Sequence, residues 1–206
     1  FIRPKAKETR NYLRWLDMMS GKITTHWENE AGVYENEYIA AYDGDFIAAQ
    51  LNAPDGLLDL DVQLRLPGGR GPFGTVILDK SIHTVKKTAD MIKVAYQYNP
   101  EFCDNRGFVL IIRFIPIGGQ FTLNEDGAQI RGGSKLLVLG KAVRFENDFA
   151  FGCEDAVADE FMKIPADFDT CVKGNLAYLG DRMERSQLHL GKEEDYYLSG
   201  EELLRI

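Results

Sequence analysis

Apolar positions crowd most densely into residues 106–151, RGFVLIIRFIPIGGQFTLNEDGAQIRGGSKLLVLGKAVRFENDFAF, and this stretch is also the richest in strand signals. Residues 108–115 form a β-branched and aromatic run broken only by Arg113. Asn105 and Gly107 bound it on one side, Pro116 and Gly118-Gly119 on the other. Both sets of alternate side chains are apolar, so the run reads as a strand covered on both faces. Residues 120–123 and 128–131 flank Asn124-Glu125-Asp126-Gly127, whose turn chemistry predicts a hairpin. Residues 135–139 and 142–145 read as two further short strands, with a turn at Gly140-Lys141. Val109, Ile111 and Leu137 are expected in the core of a single mixed or antiparallel sheet.

Elsewhere the pattern alternates between periods. Leu58, Leu60, Val62, Leu64 and Leu66 alternate with Asp59, Asp61, Gln63 and Arg65, which is a strand with one wet face. Residues 74–78 resume as strand after a glycine loop. Tyr12, Leu13, Leu16 and Met19 recur at helical spacing, as do Tyr34, Tyr38, Ile39 and Tyr42, and a short helix is expected over 45–51. Val85, Thr88, Ala89, Ile92, Ala95 and Tyr96 fill one face of an expected helix closed by Asn99-Pro100. Residues 154–163 predict a short acidic helix, and Ser199-Gly200-Glu201-Glu202 is a capping box opening a last one. The expected architecture is a single α+β domain over 1–206. It has a mainly helical segment (1–56), a β-rich core (57–151) with flanking helices, and a mixed C-terminal segment (152–206).

Composition narrows the partners. The chain has 206 residues, 45% hydrophobic and 27% charged, with a formal charge of −8. A chain of this length buries about 70% of its unfolded surface and needs no staples. The acidic balance argues against nucleic acid, because phosphate binding needs clustered Lys and Arg. The basic clusters, Arg3-Pro4-Lys5-Ala6-Lys7 with Arg10 and Lys86-Lys87, read as solvated surface. Cys103, Cys153 and Cys171 cannot all pair and form no CxxC, so free thiols in an intracellular, cytoplasmic compartment are expected. No apolar run reaches the roughly 18 residues of a membrane span, and no signal peptide is visible. The start at Phe1 reads as processed, trimmed or excised.

Complete chemical motifs are missing from the sequence. His26 has no second His at i+4, Asp43-Gly44-Asp45 lacks the rest of a calcium loop, and no metal site is expected. The loop Pro67-Gly68-Gly69-Arg70-Gly71-Pro72 lacks both the P-loop ending and the dinucleotide spacing. No cysteine, serine or histidine carries a local nucleophile signature.

The order of features over 34–151 resembles the ADP-ribosyltransferase fold. Residues 38–52 resemble its helical segment, and Ser81-Ile82-His83-Thr84 with the expected helix behind it resembles its Ser/Thr strand. VLIIRFIPIGG and SKLLVLGKAVRF resemble its later core strands. The resemblance implies NAD as cofactor, with Arg65 or Arg70 on the pyrophosphate and Ser81 and Thr84 ordering the site. Where the family carries its catalytic Glu, this chain has Gly132-Gly133-Ser134-Lys135; Glu125 or Glu146 replace it only in another register. Without the carboxylate the cationic transition state loses its main partner. Two functions therefore stand. One is a non-catalytic structural or interaction domain without a cofactor, a subunit or segment of a larger assembly with other protein subunits as partners. The alternative is an NAD-binding relative of the transferases.

Overall fold

A computed structural model describes residues 2–4, 9–42, 44–66, 80–124 and 127–186. In chain order come β1 (Ile2–Pro4), β2 (Arg10–Asp17), β3 (Lys22–Asn29), β4 (Gly32–Ala41), β5 (Phe46–Asn52), β6 (Leu58–Gln63), β7 (Ile82–Lys87) and β8 (Met91–Gln97). There follow α1 (Pro100–Cys103), β9 (Gly107–Asn124), β10 (Gly127–Phe145), α2 (Cys153–Phe161), α3 (Phe168–Asn175), a π-helical turn (Leu176–Gly180) and α4 (Asp181–Arg185). Ten strands share one hydrogen-bonded sheet in the order β2-β3-β4-β5-β10-β9-β8-β7, with β6 on β10 and β1 on β6. Every pairing among the described residues is antiparallel.

The expected α+β architecture with an N-terminal helical segment is thereby corrected. Residues 10–52 form the meander β2 to β5, and 82–97 form the hairpin β7–β8 in place of a helix. Asn99-Pro100 opens a helix rather than ending one: the Asn99 side chain accepts from the Glu101 N–H at 3.0 Å, and Pro100 takes the first helical position. Gly140-Lys141 is no turn, because β10 runs on through it. The strand expected over 58–66 is present over 58–63, the hairpin expected between 120–123 and 128–131 pairs from Asn124 and Gly127, and the acidic helix expected over 154–163 spans 153–161. The expected strand at 74–78 and helix from 199 lie outside the described residues.

The long strands β9 and β10 explain the shape. Gly118 and Gly119 adopt φ of +71° and Gly132 of +66°, and the pairing skips Ser134 as a bulge between Gly133 and Lys135. Left-handed glycines and a bulge bend a strand sharply. The far halves of β9 and β10, with β6 and β1, therefore fold back as a second layer. Phe114 and Phe121, on the same strand, come to 5.7 Å between ring centroids.

Two apolar clusters result, one on each side of the main sheet. On the helix side, Ile39, Ala48, Val109, Ile111 and Leu139 pack against Phe149, Ala158, Phe161, Phe168 and Cys171. On the sandwich side, Leu51, Ile92, Val94, Phe114 and Leu136 meet Leu58, Leu60, Ala128 and Ile130 of the second layer. Val109, Ile111 and Leu137 are buried as expected.

Candidate interaction surface

The second layer covers only part of the sandwich side. Directly opposed residues of antiparallel strands share a face. The row Ala40–Ile47–Gly140–Ile112 and the pairs Ala49–Val138 and Ala142–Leu110 therefore lie side by side on that side of the sheet. Alanine and glycine keep the floor low, while the longer Leu110, Ile112 and Val138 stand higher. The outcome is an open trough of about 550 Å³ lined almost wholly by these apolar groups, with Asp45 and Phe46 at its β4–β5 end. Ile47 stands 61% exposed on a strand whose other side is buried. Ile112 also lines a smaller cavity of about 300 Å³ beneath the second layer, beside Val62, Leu64, Arg65 and Phe114. An apolar surface of this continuity is what protein contacts use.

The edge strand β2 adds to it. Tyr12, Leu13, Trp15 and Leu16 are all about half exposed or more, on both faces of the strand. Charged Arg10, Arg14 and Asp17 interrupt the apolar positions, which blunts strand addition at this edge.

Electrostatics elsewhere serve the frame. Glu154 is buried at the start of α2, with Lys86 Nζ 2.6 Å from its carboxylate and the Gly152 N–H donating at 2.7 Å. Burial pushes its carboxyl up, but Lys86 and the backbone N–H groups outweigh that and hold it below its ordinary value. Asp155 bonds Lys93 at 2.9 Å, so the helix is clamped to β7 and β8 by charge as well as by Ala158 and Phe161. Lys86 is exposed, as expected, and from the surface it tethers the buried Glu154. The buried Asn175 closes the other helix. Its amide donates to Ser20 O at 3.1 Å and Ala40 O at 2.9 Å, and its oxygen accepts from Tyr42 N at 2.9 Å.

Of the residues singled out for NAD, Arg65, Ser81 and Thr84 lie among the described residues. Arg65 follows β6, donates to Gln63 Oε1 at 3.3 Å and lines the smaller cavity. Ser81 precedes β7 and accepts from Tyr96 Oη at 2.7 Å, and Thr84 is exposed on β7 opposite Ala95. Neither Ser81 nor Thr84 lines the cavity that holds Arg65. Arg70 lies outside the described residues. Ser134 occupies the β10 bulge and donates to Ile117 O at 3.2 Å. Cys103, Cys153 and Cys171 are free thiols, and burial raises the Cys171 thiol. Among the described residues no group of His, Cys, Asp and Glu is placed to hold a metal, and no helix is long and apolar enough to cross a membrane.

Ile47, Glu154 and Asn175 carried no sequence signal on their own. The trough had one: small residues at Ala40, Ala49, Gly140 and Ala142 within otherwise bulky strands.

No protein-family model matches the chain, and no curated protein matches it. Among solved structures, one described as "Putative kojibiose phosphorylase from human microbiome" aligns with a TM-score of 0.57 at 11% identity, over 83% of this chain and 23% of that one. At that identity the likeness is one of fold. The chain spans less than a quarter of that protein's length.

Proposed function

We propose that this chain is a non-catalytic interaction domain, a segment or subunit of a larger assembly, whose apolar trough on β4, β5, β9 and β10 packs against the rest of that assembly. The observation that carries the reading is Ile47. It is a large aliphatic side chain, 61% exposed, in the middle of a sheet face whose neighbours are also apolar. Leaving that face in water forfeits about 25 cal/mol per Å² of apolar area. The likeness to the microbiome protein supports the same reading, since there a matching fold accounts for 23% of a longer chain.

The occupant is an apolar protein surface, not a small ligand, because the trough is open and nearly without polar groups to orient one. Affinity recovery of the tagged chain from its native cells tests this. Ile47→Glu is expected to abolish recovery of a stoichiometric partner, while Lys163→Glu, at an exposed position on the turn after α2, leaves it intact. The Ile47 side chain is solvent-exposed, so both variants keep the parent melting temperature. Undiminished recovery with Ile47→Glu overturns the proposal.

A further inference from the structure

The helix side of the sheet changes character where α3 ends its coverage. Register places Trp15, Thr24, Glu37 and Gln50 in one row across β2 to β5, and Leu13, His26, Glu35 and Asn52 in the next. The side chains meet accordingly. Lys22 Nζ lies 2.6 Å from Glu37 Oε1, Gln50 Nε2 donates to Glu37 Oε2 at 3.1 Å, and His26 stands 3.5 Å from Glu28 and 3.6 Å from Glu35. A sheet face is normally apolar where a core needs it and loosely polar elsewhere. This one is a lattice of planar amide, carboxylate and imidazole groups, the groups that orient hydroxyls by paired hydrogen bonds.

One atom within it is unsatisfied. Thr24 is 1% exposed, and its hydroxyl finds no hydrogen-bond partner among the described residues. Buried polar side chains are nearly always bonded, so an orphan points to a missing partner. Its cross-strand neighbours are Trp15 on one side and Glu37 on the other. Trp15 is 45% exposed on the edge strand, at the margin of the row.

We propose that this row binds a neutral pyranose saccharide, stacked by its C–H face on Trp15 and held through its hydroxyls by Glu37, Gln50 and Thr24. An aromatic face carries negative charge density and attracts the polarised C–H groups of a sugar ring. Among the described residues Glu28, Glu35 and Glu37 face Lys22 and His26, with Arg10 opposite Glu28, so carboxylates outnumber the fixed cations and a phosphate, uronate or sulfate would be disfavoured. The inference stands apart from the docking role of the trough, which lies on the opposite side of the sheet.

Saturation-transfer NMR with kojibiose, lactose and maltohexaose, and with glucuronate as the anionic control, tests it. Saturable transfer to at least one neutral sugar is expected, with none to glucuronate. A hexasaccharide preferred over both disaccharides would mark a polymer as the natural source, and the reverse a free oligosaccharide. Trp15→Ala and Gln50→Leu are expected to weaken binding at least about tenfold. Thr24→Val is the decisive variant: it replaces an orphan hydroxyl by a methyl, so it keeps or raises the melting temperature while weakening the sugar. No saturable transfer from any neutral sugar, preference for glucuronate, or unchanged binding in Trp15→Ala and Thr24→Val overturns the proposal.

Discussion

At the residue scale the fold depends on a few polar side chains that make connections no apolar residue can. Asn175 bonds the β2–β3 turn, β4 and the chain after β4 at once. Replacing it by Leu leaves buried backbone donors and acceptors unpaired, each costing about 1–3 kcal/mol. Denaturant unfolding should show Asn175→Leu destabilised by at least that much. Asn175→Asp should be worse, since it turns the donor aimed at two carbonyls into an acceptor. Glu154 adds a pH dependence. Its carboxyl is depressed on folding, so it contributes stability above its ordinary value near 4.5, and that contribution disappears as pH falls through the lowered folded value. Lys86→Met removes the cation and leaves burial to push the carboxyl up. Its acid-unfolding midpoint should move to higher pH than the parent's, measured by circular dichroism; an unmoved midpoint contradicts the tether.

At the element scale the bend in β9 and β10 decides the architecture. A Cβ on Gly119 would run into the Arg131 carbonyl and lie 2.5 Å from Gly133 N, with backbone rather than yielding side chain as the obstacle. Gly56 has a similar φ of +74° but open space around it. Gly56→Ala is expected to cost about 1–2 kcal/mol, the left-handed penalty alone. Gly119→Ala adds overpacking of about 1–3 kcal/mol, so thermal unfolding should separate the two variants clearly. This bend was half legible. Glycine pairs at 118–119 and 132–133 read as breaks, whereas they curve continuous strands. Residues 108–115 and 58–63 were legible because a short apolar run bounded by turn residues, and a strict alternation, favour strand over helix. The meander was not. In β4, Tyr34 and Tyr38 lie four apart, a spacing that fits a helix turn and also one face of a strand. In β8, Met91-Ile92 and Ala95-Tyr96 are buried on both faces, which erases alternation and mimics a helical stripe. In β2 the apolar residues sit on both exposed faces of an edge, with the same effect. The trough left only its small residues as a sign, and the polar row none, because both are cross-strand arrangements of residues tens of positions apart.

At the scale of the whole molecule, a bent antiparallel sheet presents two different unburied surfaces. One side carries the trough around Ile47, beside the folded-back second layer. The other carries the polar row from Trp15 to Gln50, beside the helices clamped by Glu154 and Asn175. The separation of an apolar contact face from a polar, hydrogen-bonding face is what a domain needs if it is to be held in an assembly and still meet solvent. Under the proposed function, Ile47 is expected to be covered in the cell. The most direct measurement places a photo-crosslinking amino acid at 47, and in a second strain at 163, followed by irradiation of living cells and mass spectrometry of the adducts. A single protein partner joined through position 47, and not through 163, is the expected result. Irradiation that leaves the position-47 protein uncrosslinked contradicts the account.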